Sequence, residues 1–420
     1  MRQLYNHQKK ILDDLREKNK IALYLDMGLG KTVTSSMKAV SYQVPILVVC
    51  MKSLVSQWIY HFGEWHSDYQ IYDLSKSKQL NTFLEDTNTL KVGIITYGLQ
   101  WRRKELQKLK GFTLILDESQ NICNPTSKQT KGIFKLKFDN LILASGTPCG
   151  GAYEKLYTQY KLLGGTLTKQ QYESRYCNMF DMEVGGVRFK VLSKTNPYKN
   201  IDELKQWFRD NGAVFMKSEE VLSLPEQSFI DIKCDNTKYY REFVRDGYTE
   251  VDGNDLLNDT SLNDMLNRRY LAGVFNTNKQ KALSEVFNST DKKIIVFYNF
   301  TSELEKIKLC LTHRQLFIVN GDVRQQDDFK NCTEPCILAV QYQAGSTGLN
   351  LQFCDTIVYY SPPLQSNLYE QSKKRIHRIG QDKPCFYYRL ITSKSIDEDI
   401  YRSLEEKQDY TEELFKNARA

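Results

Sequence analysis

Residues 21–32 read "IALYLDMGLGKT": five apolar residues, a turn with two glycines, then a lysine and a threonine. The apolar run is too short for a helix and is continuous rather than alternating, which suits a strand buried on both faces of a parallel sheet. Gly28 and Gly30 let the backbone turn tightly, so that its N–H groups can point at phosphate oxygens. The helix expected over 32–42 adds the positive end of its dipole. Lys31 can reach the outer phosphates, and the Thr32 hydroxyl can ligate magnesium. The longer G-x-x-x-x-G-K-[ST] pattern fails, because Leu25 stands where its first glycine would be. A glycine-rich turn with an exposed lysine is the plainer reading, and the strand before and helix after make it a poor competitor.

A second stretch supports the phosphate reading. "LILDESQ" (114–120) ends an apolar strand with two carboxylates. Asp117 at the strand end can hold the magnesium, and Glu118 can take a proton from an attacking water. Alone, "DES" is as easily a solvated turn. Together with the glycine turn on the same expected sheet, it points to ATP with Mg2+.

The same short β-branched runs recur along the chain. The first half holds 21–25, 46–50, 92–96, 112–116 and 141–145, with helices expected over 54–64 and 101–110. The last third holds 293–298, 315–320, 336–340, 356–360 and 386–391. Strand–helix alternation argues an α/β architecture in two lobes of one style. The expected division is 1–160, a mostly helical connecting region 161–285, and 286–420. Within the middle, "EVGGVRFKV" (183–191) reads as a hairpin turning on Gly185-Gly186. Residues 247–264 read as a polar surface loop or weak helix end. With Arg188, Lys190 and Lys194 nearby, the 183–191 stretch reads first as an ordinary surface hairpin, a wedge against a duplex or junction being the sharper alternative.

The 420 residues carry a net charge of +7, with 41% hydrophobic and 26% charged residues, the balance of a soluble globular protein. That excess permits a polyanionic partner without demanding one. Ten cysteines lack a C-x-x-C pair, so reduced thiols are expected and zinc is not. The N-terminus "MRQLYNHQKK" is polar and no apolar run would span a bilayer, so a cytoplasmic, nucleoid-associated protein is expected.

With these motifs in order, the chain resembles the superfamily-two helicase-like ATPases (DEAD/DEAH-box-like), and among them the Swi/Snf-type DNA translocases. "LYNHQ" (4–8) is similar to the family's adenine-recognition segment, with Gln8 as base reader. Asp26, Met27, Gly28, Leu29, Gly30, Lys31 and Thr32 match its phosphate loop. "ILVVCMKSLVSQW" (46–58) resembles a nucleic-acid contact motif, through Lys52 and Ser53, and "ITYG" (95–98) a further one, through Thr96. "DESQ" (117–120) resembles the carboxylate box, with Gln120 where the family usually has His. "SGTP" (145–148) resembles the coupling motif, and "FMKSEEVLSLPEQ" (215–227) the connecting segment. "IIVFYNF" (294–300), "QYQAGSTGLNLQFCDTIVYYSPP" (341–363) and "RIHRIGQ" (375–381) resemble motifs of its second lobe.

The resemblance implies two RecA-like parallel-sheet lobes in tandem. It implies a DNA-stimulated ATPase that translocates on duplex, forked or branched DNA, independently of sequence and as a monomer. It assigns Arg375 and Arg378, read as one face of a helix, to the γ-phosphate. Gly348 joins the nucleotide set, and Asn299, Gly345 and Thr347 join the strand contacts. Lys373 and Lys374 read as a solvated face or as phosphate contacts. A strand-separating helicase, an ATPase displacing proteins from DNA, and a catalytically dead scaffold are the alternatives; intact Lys31, Asp117, Glu118 and Arg378 argue against the last.

Overall fold

The computed structural model describes residues 3–149, 152–184, 186–193, 195–221, 224–345 and 349–416. Gly185 and Lys194, and the candidate site residues Thr347 and Gly348, lie outside the described residues. The chain divides into two compact units, one holding Met1–Val221 and the other Leu222–Gln408.

The first unit carries β1 (Lys20–Leu25), β2 (Ile46–Cys50), β3 (Gln70–Asp73), β4 (Lys91–Thr96), β5 (Thr113–Asp117), β6 (Asn140–Ser145), β7 (Met179–Val184), β8 (Val187–Leu192) and β9 (Ala213–Met216). Seven of these form one parallel sheet in the order β3-β4-β2-β5-β6-β1-β9. β2, β5 and β6 are buried along their whole length, as continuous apolar runs require when helices cover both faces. Helices Lys31–Val40 and Val55–Trp65 stand where the sequence places them. The expected helix over 101–110 does not form; a short 3₁₀ turn, Lys104–Lys108, takes its place. Leu106 is the one residue of that turn that is buried, and one apolar contact gives a longer helix no face to bury.

The second unit carries β10 (Gln227–Cys234), β11 (Tyr248–Val251), β12 (Asn254–Leu257), β13 (Ile294–Tyr298), β14 (Gln315–Val319), β15 (Cys336–Gln341), β16 (Thr356–Tyr359) and β17 (Cys385–Thr392). Its parallel sheet runs β10-β17-β16-β13-β15-β14. Two parallel-sheet lobes in tandem are therefore observed.

The 161–285 stretch is shared between the units and holds strands as well as helices. β9 extends the first sheet beside β1, and β10 extends the second beside β17. β7 and β8 form a separate antiparallel hairpin, with Val184 opposite Val187 and Gly186 at φ +80°. Its Phe180, Met182 and Phe189 are exposed, while Glu183 and Arg188 pair at 2.8 Å. Residues 247–264 are not a plain loop. β11 and β12 pair across Asp252-Gly253, both at positive φ, before the Ser261–Gly273 helix begins. All ten cysteines are free thiols. Among the described residues no helix is long and apolar enough to cross a membrane.

Candidate functional site

In a parallel sheet every strand delivers its following loop to the same edge, where open α/β sheets bind ligands. In the first unit that edge receives Asp26–Gly30 after β1, Lys52 and Ser53 after β2, Thr96 from β4, Asp117 and Glu118 from β5, and Ser145–Pro148 from β6. β5 lies two strands from β1, roughly 10 Å at ordinary strand spacing.

Gly28 and Gly30 adopt φ +90° and +77°, the left-handed region that side chains disfavour. Gly30 is doubly required, since a Cβ there would fall 2.1 Å from Gln8 Nε2. Gln8 donates from Nε2 to the Leu29 carbonyl (3.2 Å) and accepts from the Tyr5 N–H (3.0 Å). It is thus tied to the loop it was expected to accompany. Asp26 accepts from the Met27 N–H (2.9 Å) and from the Ser218 hydroxyl (2.7 Å), which fastens the loop to the segment after β9. Lys31 donates from Nζ to the Leu25 carbonyl at 2.9 Å. Gly146 of the coupling motif packs over that ammonium, 3.3 Å from a Cβ built on it. Thr32, in the first turn of the helix, is half-buried.

Asp117 is buried at 6% exposure, and Trp58 Nε1 donates to its Oδ2 at 2.7 Å. Burial, then the neighbouring Glu118 charge, raises its pKa to about 6, while the Trp58 bond and Lys31 pull it down. Glu118 sits at φ +54°, a left-handed conformation that costs a non-glycine residue about 1 kcal/mol. Gln120 bridges the two motifs. Its Nε2 donates to Glu118 Oε2 (2.8 Å), and its Oε1 accepts from the Ser145 hydroxyl (2.7 Å). Ser145 in turn accepts from the Thr147 N–H at 3.0 Å. A glutamine at this position therefore joins box and coupling motif with both ends of its amide. Gln120→Ala is expected to lower kcat about tenfold, and Ser145→Ala by a similar factor, with no further loss in the double variant. Steady-state ATPase rates of the three variants check this.

Gln159 went unread in the sequence. It is fully buried; its Oε1 accepts from Tyr24 and Ser119 hydroxyls (both 2.8 Å) and its Nε2 donates to the Pro148 carbonyl (2.8 Å). It ties β1, the carboxylate box and the coupling motif into one piece.

Lys52 is exposed and Ser53 half-buried in a 3₁₀ turn leading into the Val55–Trp65 helix. Thr96 Oγ1 accepts from the Leu99 N–H (3.3 Å), capping the turn that follows.

In the second unit Asn299 follows β13, with Nδ2 donating to Ser361 Oγ (2.8 Å) and the Pro362 carbonyl (3.0 Å). Gly345 is buried, and a Cβ there would fall 2.5 Å from Val340 Cγ1 and 2.9 Å from Phe297 Cε1, so packing alone demands the glycine. Arg375 and Arg378 do not share a helix face. The helix closes at Lys373, and the chain continues as a turn held by Arg375 N–H to Ser372 (3.2 Å) and Gln381 N–H to Arg378 (3.0 Å). Ile376 is drawn wholly into the core and Gly380, at φ +92°, reverses the chain, which unwinds the helical spacing. Arg375 is buried; Arg378 is half-buried, donates from Nη1 to Asn350 Oδ1 (2.6 Å), and has its pKa lowered by burial. Lys373 is no solvated cation either: it is 4% exposed and paired with Glu370 at 2.8 Å.

Comparison with known families adds a frame to this geometry. The profile of the SNF2-related domain matches residues 7–292, and that of the helicase conserved C-terminal domain matches 278–380. An uncharacterized ATP-dependent helicase of Mycoplasma genitalium is 22% identical over 91% of this chain and 39% of its own length. The putative ATP-dependent helicase/translocase YwqA of Bacillus subtilis is 23% identical over 93% of this chain and 46% of its own. The DNA repair and recombination protein RDH54 of Saccharomyces cerevisiae is 24% identical over 89% of this chain and 49% of its own. The chain thus spans less than half the length of each. Among solved structures, the SWI2/SNF2 ATPase core of Sulfolobus solfataricus in complex with dsDNA matches 99% of this chain and 92% of that one, at 19% identity and a TM-score of 0.48.

Proposed function

The chain belongs to the SNF2-related-domain family of helicase-like ATPases, and from that premise we propose that it hydrolyses ATP and uses the energy to move along DNA. One observation carries the reading: phosphate loop, carboxylate box and coupling motif meet at one sheet edge, with Glu118, Gln120 and Ser145 in one hydrogen-bonded chain. The loop N–H groups and Lys31 bind the phosphates, and Gln8 accompanies the base. A hydroxyl and a carboxylate are hard oxygen donors suited to magnesium, so Thr32 and Asp117 are the residues that would hold it. When bound there, such an ion would supply positive charge to the phosphates. Glu118 takes the proton of the attacking water, held in place by Gln120. Arg375 and Arg378 are assigned to further positive charge during phosphoryl transfer.

Lys52, Ser53, Thr96 and Asn299 are assigned to the nucleic-acid backbone, with Gly345 restricted to its N–H. Such contacts go to phosphates and read little sequence. Duplex or branched DNA is the substrate this reading favours. ATPase rates with single-stranded, duplex, forked and four-way DNA, and with RNA, test it. Duplex DNA is expected to raise the rate, and added salt to reverse the gain steeply. A rate indifferent to every nucleic acid would overturn the proposal. Triplex displacement without strand separation on a fork would set translocation apart from unwinding.

A further inference from the structure

The two units each contain a central strand, a turn and a helix in the same order: β1, Asp26–Gly30 and Lys31–Val40 in one; β13, Asn299–Phe300 and Thr301–Leu309 in the other. The first turn uses glycines at positive φ, and its Asp26 and Met27 N–H groups are held by the Met216 carbonyl (2.9 Å) and the Asp26 carboxylate (2.9 Å). The second has no glycine, and its N–H groups point inward at a side chain. Glu303 Oε2 accepts from the Asn299 N–H (2.8 Å), the Phe300 N–H (3.2 Å) and the Ser361 hydroxyl (3.0 Å).

A glutamate three residues into a helix often caps it, ordinarily at the surface. Glu303 is fully buried, and burial raises its pKa against those three bonds. Its other oxygen, Oε1, has no hydrogen-bond partner among the described residues and lies against Gly273, where a Cβ would fall 2.5 Å away. The helix bearing Gly273 also covers the turn: the Tyr270 ring stacks on Phe300 at 4.6 Å, and the Arg269 guanidinium lies 4.7 Å from the same ring. Three chain segments therefore converge on one carboxylate directly beneath Asn299.

We propose that Glu303 is a resident anion and a positioning residue. Its carboxylate occupies the Asn299 and Phe300 N–H groups, the donors that an external phosphate would need at this turn, and it thereby fixes the Asn299 loop as a strand grip instead of a second nucleotide site. The grip half of this rests on the function proposed above; the anchoring half does not.

The test uses the full chain and the variants Glu303→Ala and Gly273→Ala. Glu303→Ala is expected to raise the duplex DNA concentration for half-maximal ATPase about tenfold, with kcat at saturating DNA within about twofold of wild type. Sodium formate, which replaces the lost carboxylate, is expected to raise the melting temperature of this variant more than that of wild type, against sodium chloride at equal ionic strength. Gly273→Ala, whose methyl displaces the carboxylate, is expected to shift the DNA dependence in the same direction, although alanine ordinarily favours a helix. Should Glu303→Ala not fold, Gly273→Ala with wild-type DNA dependence overturns the proposal. A Glu303→Ala protein without a formate response overturns the resident-anion role. A formate response with unchanged DNA dependence upholds that role and overturns the strand-contact assignment of Asn299.

Discussion

Lys31→Ala is expected to lower ATP turnover about a hundredfold to a thousandfold and to leave the fold intact. Lys31 stands in the first turn of its helix, with Nζ on the Leu25 carbonyl at 2.9 Å and beneath Gly146 of the coupling motif. Its ammonium is therefore held where the outer phosphates are expected, by backbone acceptors that make no demand on the core. Removing a cation that meets charge developing on a phosphoryl oxygen costs about a hundredfold or more in rate. Removing one hydrogen bond at a half-exposed loop costs stability only about 1 kcal/mol. Activity and melting temperature should separate cleanly. Lys31→Arg should not restore the rate, because a planar fork cannot sit as a point charge beneath Gly146. The check is steady-state ATPase at saturating DNA beside a thermal melt. Retention of a tenth or more of wild-type turnover would remove Lys31 from the phosphate role.

Ten of the strands were legible as apolar runs, and eight of these are buried on both sides; β14 and β17 are only partly so. A continuous run such as "ILVVC" has no polar face to hide, and β2 is buried at every position. β9 and β10 were illegible for the opposite reason. Both lie at sheet edges, and the half-exposed residues of β10 dilute any apolar run. The Asp252-Gly253 hairpin was legible in principle, since D-G between alternating residues is a strong turn signal. Its polar strands read instead as a loop.

The nucleotide loop and carboxylate box were legible because chemistry restricts them to few residue types. Their connections were not. Gln120 was visible as a departure from a resemblance, but only the structure gives its two partners. Gln159 and Glu303 carry no local signal: each is a polar residue in a helix whose burial depends on segments far away in sequence. Arg375 and Arg378 misled in another way. Spacing of three fits a helix, yet the pull of Ile376 into the core and the reversal at Gly380 decide the local backbone.

That corrected backbone sharpens the last prediction. Out of the helix, Arg378 is held by Asn350, and the Leu351 N–H donates to the Arg375 carbonyl at 3.2 Å. The arginine motif and the Gly-Leu-Asn-Leu motif are thus one structure, with Arg378 as its half-buried cation. Burial lowers the pKa of Arg378, and a guanidinium remains charged where an ammonium would shed its proton more readily. Arg378→Ala is expected to cut kcat about a thousandfold or more, the range of an arginine that meets transition-state charge in phosphoryl transfer. Nucleotide affinity should change by no more than about threefold, because the loop proposed to bind the ground-state phosphates is left untouched by the substitution. Asn350→Ala should cost about tenfold at most, since it loosens the arginine without removing it. Arg378→Lys should resemble the alanine variant, because a point charge loses both the planar fork and the Asn350 contact. Rapid-quench turnover beside equilibrium binding of a fluorescent ATP analogue separates the two quantities. Near-normal turnover in Arg378→Ala would take the arginine out of catalysis and leave it a structural partner of Asn350.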